Sequence, residues 1–391
     1  VQTDRNENGG SFQTGRVIAL AGAHFVHDVF PAFLAPLLPL LIAKLELSLL
    51  EAGLLVVFTQ LASFLNPLIG SMLDRGGFFR FLVIISPAVT GTSMCLIGIT
   101  THFSILAVLL LTCGIGVAIL HVSAPVLVAG ISGKTVGRGM SFFMAGGELA
   151  RTLGPLLAVS AVSTFGLEGI WKLIPVSIAA SLVLWWRIGR IRLDRQPDPP
   201  SNLFKVWKNM RRILLVLVGV MIPRALIAAA LTTFLPTYIY TNGYSLWFAN
   251  ISLSFLEAAG VLGVFTSGTL SDRIGRRTVL LVAVCLSPLL MIGFVFAQGM
   301  FMWPLLAVLG FVTLSTTPVL MALTIENSGS NPATANGTYI MISFAIRALV
   351  VPLVGALGDV VGLRNAFIMC AFVATTGIPF VLMVPKTTGR K

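Results

Sequence analysis

Apolar runs of about 20 residues recur along the whole chain, and that is the length an α-helix needs to cross a hydrocarbon core. Twelve can be drawn, at 17–43, 49–72, 79–99, 104–129, 138–163, 169–187, 213–240, 247–270, 278–298, 302–325, 337–358 and 365–384. Inside a bilayer a backbone can satisfy its own N–H and C=O groups only as a helix or a closed barrel. The alternating ten-residue strands of a barrel are absent, so an all-α polytopic membrane protein is expected. Composition agrees, because only 10% of the 391 residues are charged, against roughly 25% in a soluble domain. The opening residues are polar and lack an apolar h-region, so no cleavable signal peptide is expected. Cys95, Cys113, Cys285 and Cys370 each fall within an apolar run and read as packed thiols, with neither disulfide spacing nor a metal motif.

A formal net charge of +12 would suggest nucleic acid only if the basic residues formed one patch. They lie instead in the short connections between spans. With the N-terminus inside, 20 of the 26 Lys and Arg fall on the cytoplasmic side and 3 (Lys44, Lys172, Arg364) on the outer side. The remaining Arg151, Arg224 and Arg347 lie within spans. That bias places both termini in the cytoplasm, in the cell's inner (plasma) membrane. The one long polar connection, 187–212, carries eight basic residues around Pro197-Asp198-Pro199-Pro200. It divides the chain into an N-terminal half, 1–186, and a C-terminal half, 213–391, with six spans each.

The halves share a motif. Gly70, Asp74, Arg75 and Gly77 follow the second span, and Gly268, Asp272, Arg273 and Gly275 follow the eighth, 198 residues later. Internal repeats of this kind mark secondary-transporter folds. The physical reading is a tight turn in which glycines allow close helix approach while Asp and Arg pair with neighbouring helix ends. These residues resemble the major facilitator superfamily, whose loop motif is G-x-x-x-D-R-x-G-R-[KR]. The second copy matches through Arg276 and Arg277, whereas the first departs at Phe78-Phe79-Arg80. The resemblance implies two pseudo-symmetric six-helix halves. It also implies that spans 1, 4, 7 and 10 line a central cavity, that 2, 5, 8 and 11 flank it, and that 3, 6, 9 and 12 face lipid.

Ionisable residues inside a membrane span are costly and mark substrate or proton paths. Here they are His24, His27, Asp28, His121, Glu148, Arg151, Arg224, Glu257 and Arg347, and none lies in the interior of spans 3, 6, 9 or 12. His24, His27 and Asp28 are spaced i, i+3, i+4 and share one helical face. At a rise of about 1.5 Å per residue, Asp28 and Arg224 lie roughly 17 Å, Arg347 roughly 15 Å and Arg151 roughly 20 Å from the cytoplasmic ends of their spans.

Asp28 is the leading proton-coupling candidate, because burial raises a carboxyl pKa and a nearby arginine lowers it. His24 and His27 are candidate relays or scaffolding, and Glu257 is a second carrier. Arg224 and Arg347 present forks suited to carboxylate or phosphate oxygens, with Arg151 as a third candidate for substrate. Glu148 three residues before Arg151 offers that arginine an internal partner instead. His121 on the fourth span is a further substrate-site candidate, or a satisfied core histidine. Gly154-Pro155 in the fifth span reads as a packing and kink site. It resembles the Gly-Pro core of the antiporter motif in drug-exporting members.

Within the superfamily the pattern His24-Phe25-Val26-His27-Asp28 is similar to the fosmidomycin-resistance group of bacterial exporters. So are His121, Ser132-Gly133-Lys134, Gly146-Gly147 and Leu153 to Leu157. This chain departs by placing three residues between His121 and Pro125. The resemblance implies a small anionic substrate of phosphonate type. The expected protein is a monomeric, proton-coupled exporter of a small organic anion, working by alternating access without cofactor or metal. Its rivals are a symporter importing a monocarboxylate or similar anion, and a membrane receptor or enzyme on the same fold. No clustered catalytic set supports an enzyme, and no phosphate-binding loop supports an ATP-driven pump.

Overall fold

A computed structural model describes residues 12–66, 69, 79–133, 135–189, 203–327 and 332–385. Where they are described, the twelve expected spans are largely helical, and no strand occurs among the described residues. The first copy of the loop motif, with Gly70, Asp74 and Arg75, and most of the linker lie outside these residues. The chain forms two compact units, 1–34 with 58–198, and 35–57 with 199–391.

The first span is broken. Helix α1 (Thr14–Val29) gives way to a 3-10 turn at Pro31–Phe33 before α2 (Leu34–Leu45) resumes. Pro31 has no N–H to donate and its ring crowds the carbonyl of His27, which interrupts the helical ladder just beyond Asp28. The rest of the first unit comprises the end of α3 (Leu49–Leu61), α4 (Phe79–Leu96), α5 (Phe103–Ile131), α6 (Val136–Phe165) and α7 (Ile174–Ile188). Helix α1 packs most extensively on α6, and α4 on α5 and α7. Leu20, Leu127, Phe143 and Leu184 meet in one buried cluster.

On α7 the large side chains Trp185 and Trp186 are exposed, as expected of a lipid-facing sixth span. Helix α4 differs from the expectation for the third span. It is largely buried, with the Ala88 amide donating to Ser181 Oγ at 3.0 Å. A Cβ at Gly91 would stand 2.2 Å from Ser177 Cβ. Small residues therefore bring α4 and α7 together closely, as is common between membrane helices.

In the second unit the seventh span repeats the break of the first. Helix α8 (Leu203–Ala229) passes through a π-helical segment at Ala230–Phe234 into α9 (Leu235–Thr241). Pro236 cannot supply the N–H that Thr232 would accept from, and the wider π turn absorbs the mismatch. There follow α10 (Leu246–Ile274), α11 (Arg276–Phe296), α12 (Met302–Leu314), α13 (Thr316–Glu326), α14 (Pro332–Ala374) and α15 (Gly377–Leu382). Inside α14, Gly362 adopts φ 79° and ψ 152°, so a single residue turns the eleventh span into the twelfth. Helices α10 and α12 touch backbone to backbone, because Cβ atoms at Gly263 and Gly310 would each lie 2.2 Å from a carbonyl oxygen opposite.

The start of α3, at residues 48–57, belongs to this second unit. Its first amides, which no helix can satisfy internally, are all served. Ser48 and Glu51 form a capping box, Ser48 N donating to Glu51 Oε2 at 2.9 Å and Glu51 N to Ser48 Oγ at 3.1 Å. The amides of Leu49 and Leu50 donate to the two carboxylate oxygens of Asp359 on α14, at 2.7 and 2.8 Å.

Candidate functional site

In the first unit, helix α1 carries His24, His27 and Asp28 on one face, and α5 brings His121 to the same place. Asp28 Oδ1 lies 2.7 Å from His27 Nδ1 and 3.3 Å from His121 Nε2. Asp28 Oδ2 lies 3.1 Å from His24 Nε2. The cluster is graded in access: the His27 side chain is 0% exposed, His24 3%, Asp28 15% and His121 40%. Two partners from other helices fix the imidazoles. His24 Nδ1 donates to the Phe143 carbonyl of α6 at 2.7 Å, and its ring stacks on that residue's ring at 4.0 Å. His27 Nε2 sits 2.9 Å from Thr90 Oγ1 of α4.

These contacts determine where protons can be. A carbonyl only accepts, so His24 carries its proton on Nδ1, and a neutral His24 turns the lone pair of Nε2 toward Asp28. His27 donates from Nδ1 to Asp28 and accepts from the Thr90 hydroxyl as a neutral ring. His24 Nε2 is buried and makes no well-directed hydrogen bond, although Oδ2 is beside it. Two electron-rich atoms face each other there, and one positive charge between them would satisfy both.

Helix α6 reaches this cluster because it carries no side chain where it crosses α1. A Cβ at Gly147 would lie 2.7 Å from His24 Cε1 and 2.9 Å from Nε2, and one at Gly146 would lie 2.3 Å from the Ala21 carbonyl oxygen. Two turns further, a Cβ at Gly154 would meet Ala32 Cβ at 2.5 Å, with Pro155 next to it in the helix. Arg151 reaches Glu148 at 3.2 Å.

In the second unit, Arg224 follows Pro223 on α8. It is half-buried and donates from Nε to Thr316 Oγ1 and from its terminal nitrogen to Thr317 Oγ1 at 2.6 Å. The Tyr339 hydroxyl donates to the Thr317 carbonyl at 3.4 Å. Beside Arg224 lies a cavity of about 10 Å³, room for roughly one water. Among the described residues Arg224 is held by hydroxyls rather than by a carboxylate. Glu257 is buried on α10 and Arg347 half-buried on α14.

At the second motif copy, Arg276 organises the turn. It reaches Asp272 at 2.5 Å and Glu326 at 2.9 Å, and donates to the Gly268 carbonyl at 3.3 Å. Arg273 is exposed. The expectation of close helix approach at Gly268 is corrected, because nothing lies within 4 Å of a Cβ there. Gly275 is the glycine that the turn requires, at φ 92°.

The sequence model of the Major Facilitator Superfamily matches residues 20–350. The chain belongs to this superfamily. Among curated members, it is 23% identical over 376 residues to the uncharacterized MFS-type transporter YfnC of Bacillus subtilis, covering 93% of this chain and 91% of that one. It is 21% identical over 369 residues to the fosmidomycin resistance protein of Escherichia coli, covering 92% and 90%. Among solved structures, a bacterial homolog of the human lysosomal transporter Spinster matches with a TM-score of 0.81 at 15% identity, covering 96% of this chain and 97% of that one. The nucleoside transporter NupG matches at 0.76 and 14% identity, covering 95% and 100%. The superfamily fold and the relatives make this protein a multi-pass secondary transporter, not an enzyme. Thr90, the Phe143 carbonyl, Thr316, Thr317 and Asp359 join its polar sites without having been singled out in the sequence. An acid bordering the eleventh span was the one available signal, at Asp359.

Proposed function

We propose that this superfamily member is a proton-coupled antiporter that exports a small organic anion. It would act as a monomer in the inner membrane with both termini in the cytoplasm. Two six-helix halves, 1–186 and 213–391, would alternate access across the linker 187–212, with the Asp-Arg turns at residues 70–77 and 268–276 latching the cytoplasmic side. The observation that carries the anion is Arg224, a guanidinium in mid-span whose hydrogen bonds end on neutral hydroxyls. Its charge is left to be balanced by a substrate, with Arg347 as the second fork and Arg151 engaged by Glu148.

Coupling is assigned to Asp28, with His24 and His27 as relays and His121 at the accessible edge. The gap between His24 Nε2 and Asp28 Oδ2 supports it as a place for one proton. Glu257 is the second candidate carrier. Export is the direction suggested by the relative that confers fosmidomycin resistance.

Proteoliposome flux under an imposed pH gradient, run against a panel of carboxylates and phosphonates, tests the reading. Wild-type flux should follow the gradient, and flux that ignores it would remove proton coupling. Asp28→Asn should lose gradient-driven flux while keeping substrate counterflow. Arg224→Ala should weaken anion binding roughly ten- to a hundredfold, the range for a lost charge-assisted hydrogen bond. Unchanged affinity would remove the anion clamp.

A further inference from the structure

We propose that His24, Asp28 and His121 form a binding site for one divalent transition-metal ion of the zinc class. Their ligand atoms all lie within 4.8 Å of one another. Two of the separations are 3.1 Å (His24 Nε2 to Asp28 Oδ2) and 3.3 Å (His121 Nε2 to Asp28 Oδ1). Ligands held about 2.0–2.1 Å from a tetrahedral zinc stand about 3.3 Å apart. Each imidazole already stands at that distance from one oxygen of Asp28, and rotation of the side chains would close the remaining separations, which reach up to 4.8 Å.

Three features beyond proximity show a built site. First, His24 Nε2 is buried and without a well-directed hydrogen bond, and it aims into the cluster. Second, the outer ring nitrogen of His24 is anchored on a backbone carbonyl, the arrangement by which proteins fix the tautomer and direction of a metal-binding imidazole. Asp28 is braced in the same way by His27, which is itself braced by Thr90. Third, Gly147 leaves bare the wall against which His24 and Asp28 stand, at 2.7 to 3.3 Å from where its Cβ would be.

The donor set chooses the ion. Two imidazoles and one carboxylate suit zinc, cobalt or nickel, whereas magnesium and calcium prefer oxygen alone. Three protein ligands leave a fourth position, and the exposed side of His121 places it where water or an anion can enter. Such open three-ligand sites are the kind that exchange their fourth ligand. The proposal stands on the cluster's geometry and not on proton coupling, so its test does not involve transport.

Protein purified in detergent, with any polyhistidine tag removed, is titrated with Co²⁺ while its visible absorption is followed. Zn²⁺ is then measured by equilibrium dialysis. One equivalent should bind, with cobalt bands that Zn²⁺ displaces. His121→Ala and Asp28→Asn should each weaken binding by about tenfold or more, and His102→Ala, which removes the remaining histidine, should leave it unchanged. Because His121 is exposed, its substitution spares the packing, and helical circular dichroism with a monodisperse elution profile checks that the fold is kept. Binding far below one equivalent, or equal affinity in wild type, His121→Ala and Asp28→Asn, would overturn the site.

Discussion

Asp28 shows how much a single side chain can be asked to hold. Three imidazoles reach its two oxygens, yet only His27 has both ring nitrogens in good hydrogen bonds as a neutral group. The position that protects this arrangement is Gly147. An alanine there would press its methyl on the His24 ring, which cannot retreat because Phe143 holds it by both stacking and hydrogen bond. Gly147→Ala is expected to destabilise the protein by about 1–3 kcal/mol, read as a lower midpoint of thermal unfolding in detergent. Gradient-driven flux should fall at temperatures where the variant remains folded. The i, i+3, i+4 spacing made three members of the cluster legible in the sequence. His121 was visible only as a candidate, because nothing in a sequence ties residue 121 to residue 28. Thr90 and the Phe143 carbonyl could not be found that way, since hydroxyls and carbonyls occur in every span.

At the level of helices, spans that are continuous in hydrophobicity are interrupted in the backbone. The first and seventh spans break at Pro31–Phe33 and Ala230–Phe234, shortly after Asp28 and Arg224 respectively. Hydrophobic length shows that a span exists, but it does not register a lost hydrogen bond inside it. Pro31 and Pro236 were the available signs, and proline within membrane helices is common enough to be read as a mere kink. The start of α3 makes the same point for capping. Ser48 and Glu51 form a local pattern, whereas the carboxylate serving Leu49 and Leu50 comes from α14. Asp359→Ala should lower stability by about 1–2 kcal/mol, the range for a lost cap, with Asp359→Asn losing less because an amide oxygen still accepts. Thermal unfolding of both variants beside Glu51→Ala measures the two contributions separately.

For the molecule as a whole, fold class was legible because the bilayer permits so few solutions. Burial was less so: α4, expected to face lipid, is enclosed by its neighbours because small residues such as Gly91 and Ser177 let them close on it. The proposed orientation rests on charge asymmetry, and it can be checked directly. A reporter that works only in the cytoplasm should be active when fused after residue 385 and inactive when inserted beside Lys172; the reverse pattern would invert the proposed topology.

The two-part cap of α3 also orders events during synthesis. A chain made from its N-terminus can form the Ser48–Glu51 box as soon as those residues emerge. Asp359 follows 310 residues after Leu49, when most of the chain is already made. The early spans therefore enter the membrane with the Leu49 and Leu50 amides still served by water. Their transfer to Asp359 is a late step in maturation, one that a nascent chain truncated before α14 never reaches.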